Sequence, residues 1–348
     1  MSGKKSMKYT SILALCCLLS SLAFAHHSDV GLSMDEVVTI EGVVTEYSLR
    51  NPHAYFTVNT VGENIEQIEW TVQMASSITM TRLGWDRETL AIGDSITVGV
   101  HPARDGRSYG LIASFKTANG VALLTQPEER PRPVSNALAS SIEGRWFADL
   151  TRLPDDYPEG LDLLMIRDLV LTDKAKAATE AYNQDSEENP ELSCISKPTP
   201  SMIIYTDLFP IEISLNEPGE TITIRSQHFD EVRSIYMDGR PHPAVSELFH
   251  EGHSIGSWED DVLVIDTTNF TPHRSPYQNG VPSGPQKHVV ERYRLIEDGA
   301  LMIIEFVLED PEYIVGSMTH SRDVRFAPES DMSPFDCDIE ATRRFVPN

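Results

Sequence analysis

Hydrophobic side chains in this chain recur at every second position, in short runs cut by turn residues. That period puts one face of an extended segment into a core and leaves the other outside. Gln67 to Met74 shows it plainly, with Ile68, Trp70, Val72 and Met74 on one side. Residues 37–117 hold five such segments: Val37–Tyr47, His53–Asn59, Gln67–Met74, Ser95–Val100 and Tyr109–Lys116. Gly42 interrupts the first, where a strand bends or bulges. Ser76 to Leu83 reads as a short helix between the third and fourth. Three strands, a helix and two strands is the order of an OB-type five-stranded barrel.

Gln126 to Pro133 is rich in Pro and charge and reads as an extended linker. The chain thus divides into residues 26–125, a linker at 126–139, and a second domain at 140–348. In the second domain Thr172 is a plausible N-cap for a helix running to Tyr182. Nine further strands are expected: Met202–Thr206, Ile211–Leu215, Thr221–Arg225, Val232–Met237, Ser254–Trp258, Val262–Thr267, His288–Ile296, Leu301–Leu308 and Thr319–Phe326. Tight turns such as Asp238-Gly239 and Asp298-Gly299 favour an antiparallel meander. Closing it removes the exposed edges and makes a larger, calycin-like barrel that forms a cup for a small-molecule ligand. A two-sheet sandwich is the competing architecture. The fold class is mainly β, with few helices.

Lys4, Lys5 and Lys8, an apolar run from Ile12 to Leu19, and Ala23-Phe24-Ala25 follow the order of a secretory signal peptide ending at residue 25. Its removal takes away three Lys and no acid, moving the formal charge from −25 to −28. With 53 Asp and Glu against 28 Lys and Arg, the chain is a poor nucleic-acid binder despite the OB-like pattern. No later apolar run approaches the length of a membrane span, so no span is expected after cleavage. The expected location is the periplasm or the exterior. An oxidising compartment favours joining Cys194 to Cys337, closing a loop of about 140 residues worth about 4–5 kcal/mol. Two separate thiols are the alternative.

The first domain carries Ala25-His26-His27-Ser28, Asn51-Pro52-His53-Ala54, Trp70, the Leu90-x-x-Gly-Asp segment and Pro102-Ala103-Arg104-Asp105-Gly106. In this spaced combination it resembles an uncharacterised family of secreted bacterial proteins. The second domain resembles a β-rich region of related secreted proteins through Met237 to Pro243, Gly252 to Glu259 and Val262 to Thr267. Those proteins tend to carry Cys-His-Glu near the end, where this chain has Cys337-Asp338-Ile339. The resemblance implies secretion and a domain layout, and no activity.

Three groups of residues are candidate sites. Cleavage after Ala25 would make His26 the first residue, and its amine and imidazole, with His27 or His53, would suit copper. In the second domain, His253 with Asp266 suits an oriented imidazole base, and Arg233 an electrostatic clamp. Trp258, His242 and Arg240 are candidates for holding a ligand. A serine-nucleophile elbow, a His-Glu-x-x-His zinc pair, a phosphate loop and a haem-attachment motif are not read in the chain. The leading expectation is a binding protein for a small ligand. The alternatives are an enzyme using His253, Asp266 and Arg233, or a structural or assembly partner.

Overall fold

A ring with an odd number of strands cannot alternate direction all the way round, so each closed barrel here must contain one parallel pair. The computed structural model, which describes residues 31–61, 66–125, 135–152, 167–183, 186–216, 220–277 and 280–346, shows both. The signal segment, His26, His27 and most of the Pro-rich linker lie outside the described residues.

The first barrel is built from β1 (Val38–Ser48), β2 (Tyr55–Val61), β3 (Gln67–Gln73), β4 (Ser95–Pro102) and β5 (Tyr109–Thr117), with a short β6 (Ala122–Leu123) on the edge of β5. The ring runs β1-β2-β3-β5-β4, and β3–β5 is the parallel pair. Helix α1 (Ser77–Arg82) follows β3, and the Ser76 side chain caps it by accepting from Thr79 N at 3.1 Å. A small barrel must bend its strands sharply, and bulges in β1 between Val44 and Glu46 and in β4 between Gly99 and Val100 do so. Gly42 has a different reason from the bulge expected there. A Cβ at this position would meet Asn59 O at 2.3 Å, so β2 can lie against β1 only without one. Phe56, Val58, Val72, Val98 and Phe115 fill the interior.

The second barrel closes in the order β7-β8-β9-β10-β11-β12-β13-β14-β15. Its strands are β7 (Gly144–Ala148), β8 (Ile211–Leu215), β9 (Thr221–Ser226), β10 (Val232–Tyr236), β11 (His253–Glu259), β12 (Val262–Thr268), β13 (His288–Ile296), β14 (Leu301–Glu309) and β15 (Ser317–Phe326). The meander is antiparallel except for β10–β11, a parallel pair joined by the excursion 237–252. That excursion folds over the outer face of the barrel and carries part of the candidate site. Helix α2 (Asp173–Glu180) starts at the Thr172 cap as expected.

One strand was exchanged for another. Met202–Thr206 is not a strand: α3 (Ser201–Ile204) and a 3₁₀ turn occupy it. A short apolar run cannot be told from a buried helical turn by periodicity, and here Met202, Ile203 and Ile204 are all buried rather than alternating. They pack with Ile224, Ile235 and Ile265, so at this level the interior is filled by the chain itself. The ninth strand is instead β7, whose Trp146 is fully buried against the same core.

The C-terminal segment ties the two barrels. Cys337 is bonded to Cys194, with S–S 2.00 Å and Cα–Cα 5.9 Å. Beyond it lies α4 (Ile339–Arg343), flanked by Arg50–Asp338 at 2.5 Å and Arg344–Glu46 at 2.8 Å. Phe345 packs edge-on against His53 and Tyr55. Among the described residues, no helix is long and apolar enough to cross a membrane.

Candidate functional site

At one end of the second barrel, which we call its mouth, β10, β11, β13 and β15 begin and β12 and β14 end. Register places His253 opposite Thr268 and His288 opposite Glu309 at this level, both pairs on the outer face. Asp266 lies two residues further in on that face, since its neighbours Ile265 and Thr267 point inward and are fully buried. The excursion 237–252 brings His242 over the top. Asn269 holds the excursion by donating from Nδ2 to Ala244 O and Glu247 O, both at 2.9 Å.

The result is a continuous polar chain across the outside of the barrel. His253 Nδ1 is 3.0 Å from His242 Nδ1, His242 Nε2 is 3.2 Å from Asp266 Oδ1, and His288 Nε2 is 3.1 Å from the same oxygen. Glu309 Oε2 stands 3.6 Å from His288 Nδ1. Tyr236 stacks on His253 at 5.0 Å, and the Arg240 guanidinium sits 4.0 Å above the Tyr236 ring. Arg240 is also paired with Asp238 at 2.6 Å.

The charges follow from these contacts. The hydrogen bond from His288 holds the Asp266 carboxyl below the usual range, and the same bond raises His288. Burial lowers His253, with His242 and Arg240 adding to it, so its imidazole is neutral near pH 7. One proton assignment then satisfies the chain: His242 Nε2–H donates to Asp266, and His253 Nδ1–H donates to His242 Nδ1. This leaves the His253 Nε2 lone pair free to accept a proton, oriented at second hand by Asp266.

The ion pair has a defined pH window. Because His288 is raised above 6.5, its contribution is complete below about 6.5 and fades as pH rises through the raised value. Because Asp266 is lowered from 3.8, its contribution is lost only when pH falls through that lower value. In Asp266→Asn we expect the His288 pKa to fall back toward 6.5, read by NMR titration of its ring protons. An unchanged His288 would mean that the pair is not formed.

A second polar group lies on the inner face of the same strands. Arg233 Nη2 donates to Glu291 Oε2 at 2.6 Å, its Nη1 donates to Thr199 Oγ1 at 2.9 Å, and Tyr293 OH donates to Glu291 Oε1 at 3.0 Å. Burial works against the Arg233 charge, but Glu291 more than offsets it. Around the mouth, burial lowers Lys287 to about 7 and raises Asp310 to about 6. Glu231 is pushed up by burial and by the nearby Glu251.

The expected residues therefore divide. His253 and Asp266 do belong together, but through His242 rather than in direct contact. Arg233 lies inside the barrel, away from both, so the His253–Asp266–Arg233 constellation does not assemble. Arg240 is the cation on their side. Trp258 sits at the opposite end of β11, 47% exposed, and does not join His242 and Arg240. His53 is partly buried just before β2: its Nδ1 is buried without a hydrogen-bond partner, and Phe345 packs edge-on against its ring. Among the described residues, no three His, Cys, Asp or Glu side chains are arranged to hold one metal ion. The copper expectation needs His26 and His27 beside His53, and those two lie outside the described residues.

Sequence reading missed His288 and Glu309, which stand 22 and 43 positions beyond Asp266 and join it only through strand register. It also passed over Gly252-His253-Ser254-Ile255-Gly256, which has the Gly-x-Ser-x-Gly spacing. The structure shows why this is no nucleophile elbow. Ser254 lies within a strand, is 1% exposed, and its hydroxyl is 2.9 Å from that of Thr267.

Comparison with known proteins finds a likeness in the N-terminal part of the chain, which includes most of the first barrel. Residues 14–114 match the model described as Family of unknown function (DUF6152). This agrees with the resemblance carried by Asn51 to Ala54 and leaves the second barrel outside the match. No curated protein matches the chain.

Proposed function

We propose that this is an exported binding protein for a small ligand, and that the outer-face histidine chain at the mouth of the second barrel is its site. The observation that carries the reading is the unbroken series of contacts from His253 through His242 and Asp266 to His288, at 3.0, 3.2 and 3.1 Å. The chain runs from a nearly buried His253 to a partly exposed Asp266 and His288, and side chains joined in this way can pass a proton along while exchanging partners with a bound molecule. Arg240 supplies positive charge and Tyr236 an aromatic face beside His253, so the ligand is a small molecule with an acidic group. Export is supported by the basic start and small-residue cleavage site of the sequence, and by the Cys194–Cys337 bridge.

The test is native mass spectrometry of protein purified from its own host. A stoichiometric small-molecule adduct is expected in the wild type and is expected to vanish in His242→Ala. Wild-type protein without an adduct, or an adduct indifferent to His242→Ala, would refute this site. A second reading, general-base catalysis, is favoured by one observation: His253 is tied to Asp266 through His242 and keeps Nε2 free. It predicts turnover of a ligand that the binding reading leaves intact.

A further inference from the structure

Beside Glu309, at the turn joining β14 to β15, the second barrel carries an open groove of about 550 Å³. Its lining includes Glu309, Pro311, Ile314, Val315, Ser317 and Thr172, the cap of α2. Backbone bonds from another segment fix its shape: Thr172 N donates to Tyr313 O at 3.0 Å, and Val315 N donates to Val170 O at 2.7 Å. Gly284 N, from a third segment, donates to Asp310 Oδ2 at 3.1 Å. The groove is therefore preformed, and Val315, 55% exposed, leaves apolar surface in water within it. Strand register joins it to the histidine chain. Glu309 lines the groove and also stands 3.6 Å from His288 Nδ1. One row further in on the outer face, Asp266, Val290 and Val307 lie side by side across β12, β13 and β14. Val307 is 38% exposed, so an apolar strip runs beside the polar chain toward the groove.

We infer that the histidine chain and the groove are one site, and that its ligand is a linear amphipathic acid. The carboxylate meets Arg240, and the hydrocarbon tail runs over Val290 and Val307 into the groove. This rests on the reading of the outer face as a binding site and adds the chemical class of the ligand. Arg240 is oriented for the role, since Asp238 pairs with it at 2.6 Å and the Tyr236 ring lies 4.0 Å beneath it. β11, beside Arg240, and β14, beside the groove, are three strand spacings apart, about 14 Å, which a saturated acid of about twelve carbons spans. The tail gains by leaving water in proportion to the methylenes it buries, so chain length sets affinity.

The test is calorimetric titration of the full chain with sodium laurate below its micelle concentration. Saturable binding is expected, and octanoate, four methylenes shorter, should bind at least about tenfold more weakly. Laurate should lose at least about tenfold in Val315→Asp, which puts a charge in the groove, and in Arg240→Ala. Both side chains are exposed, so both variants should keep the wild-type unfolding midpoint. Trp258→Ala, at the opposite end of β11, should bind as wild type does. Binding lost in His242→Ala but unchanged in Val315→Asp would remove the groove and leave the histidine chain. Binding lost in Val315→Asp but unchanged in His242→Ala and Arg240→Ala would remove the histidine chain. Either result overturns the joined site, as do equal affinities for laurate and octanoate or no saturable binding at all.

Discussion

Glu291→Leu is expected to destabilise the second barrel by about 3–5 kcal/mol, and adding Arg233→Met is expected to restore most of the loss. Both partners are almost wholly buried, at 2% and 0% side-chain exposure, and meet at 2.6 Å. Removing the carboxylate strands a guanidinium that cannot lose its proton, with only Thr199 Oγ1 and Tyr293 OH left near it. Removing both charges replaces a desolvated ion pair with apolar volume, which interiors accept at little cost. Guanidinium unfolding of the two variants beside wild type gives the answer. A double variant no more stable than Glu291→Leu would show that the pair contributes in its own right and is not simply compensating its own burial.

Loss of the Cys194–Cys337 bridge should have an effect of similar size by a different route. The bond closes a sequence separation of 143 residues, and constraining so long a loop in the unfolded chain is worth about 5 kcal/mol. For a domain of this size, Cys337→Ser should lower the unfolding midpoint by about 10–20 °C. The C-terminal segment would then be held by the packing of Phe335 and Phe345 and by surface pairs such as Arg50–Asp338 and Arg344–Glu46, which contribute little each. Calorimetry of oxidised wild type against the variant decides the matter. A midpoint within about 2 °C of wild type would mean that the loop is already constrained by its packing.

Much of the fold could be read from local pattern. The five strands and helix of the first barrel fall within a residue or two of their expected places, from Val38–Ser48 to Tyr109–Thr117. Alternation, turn residues and the Ser76 and Thr172 caps are short-range signals, so they survive without knowledge of the rest. Met202–Ile204 failed because the run is short and buried on all sides. The inward placement of Arg233 was legible. It shares strand parity with Ile235, and both face the core. His242, Asp266, His288 and Glu309 gave no sign of belonging together, since they come from an excursion and three different strands.

The sequence alone determined that the chain builds two β domains, carries a strong negative charge, and keeps two cysteines in its second half. These follow from residue types and from periods no longer than a few positions. The tertiary structure alone decided that β10 and β11 run parallel, that His253 faces outward, and that four side chains from β11 to β14 meet His242 of the excursion in one line. The reason is geometric. Ring closure and strand register are properties of the whole barrel, and a shift of one residue in β11 or β12 would carry His253 or Asp266 to the other face.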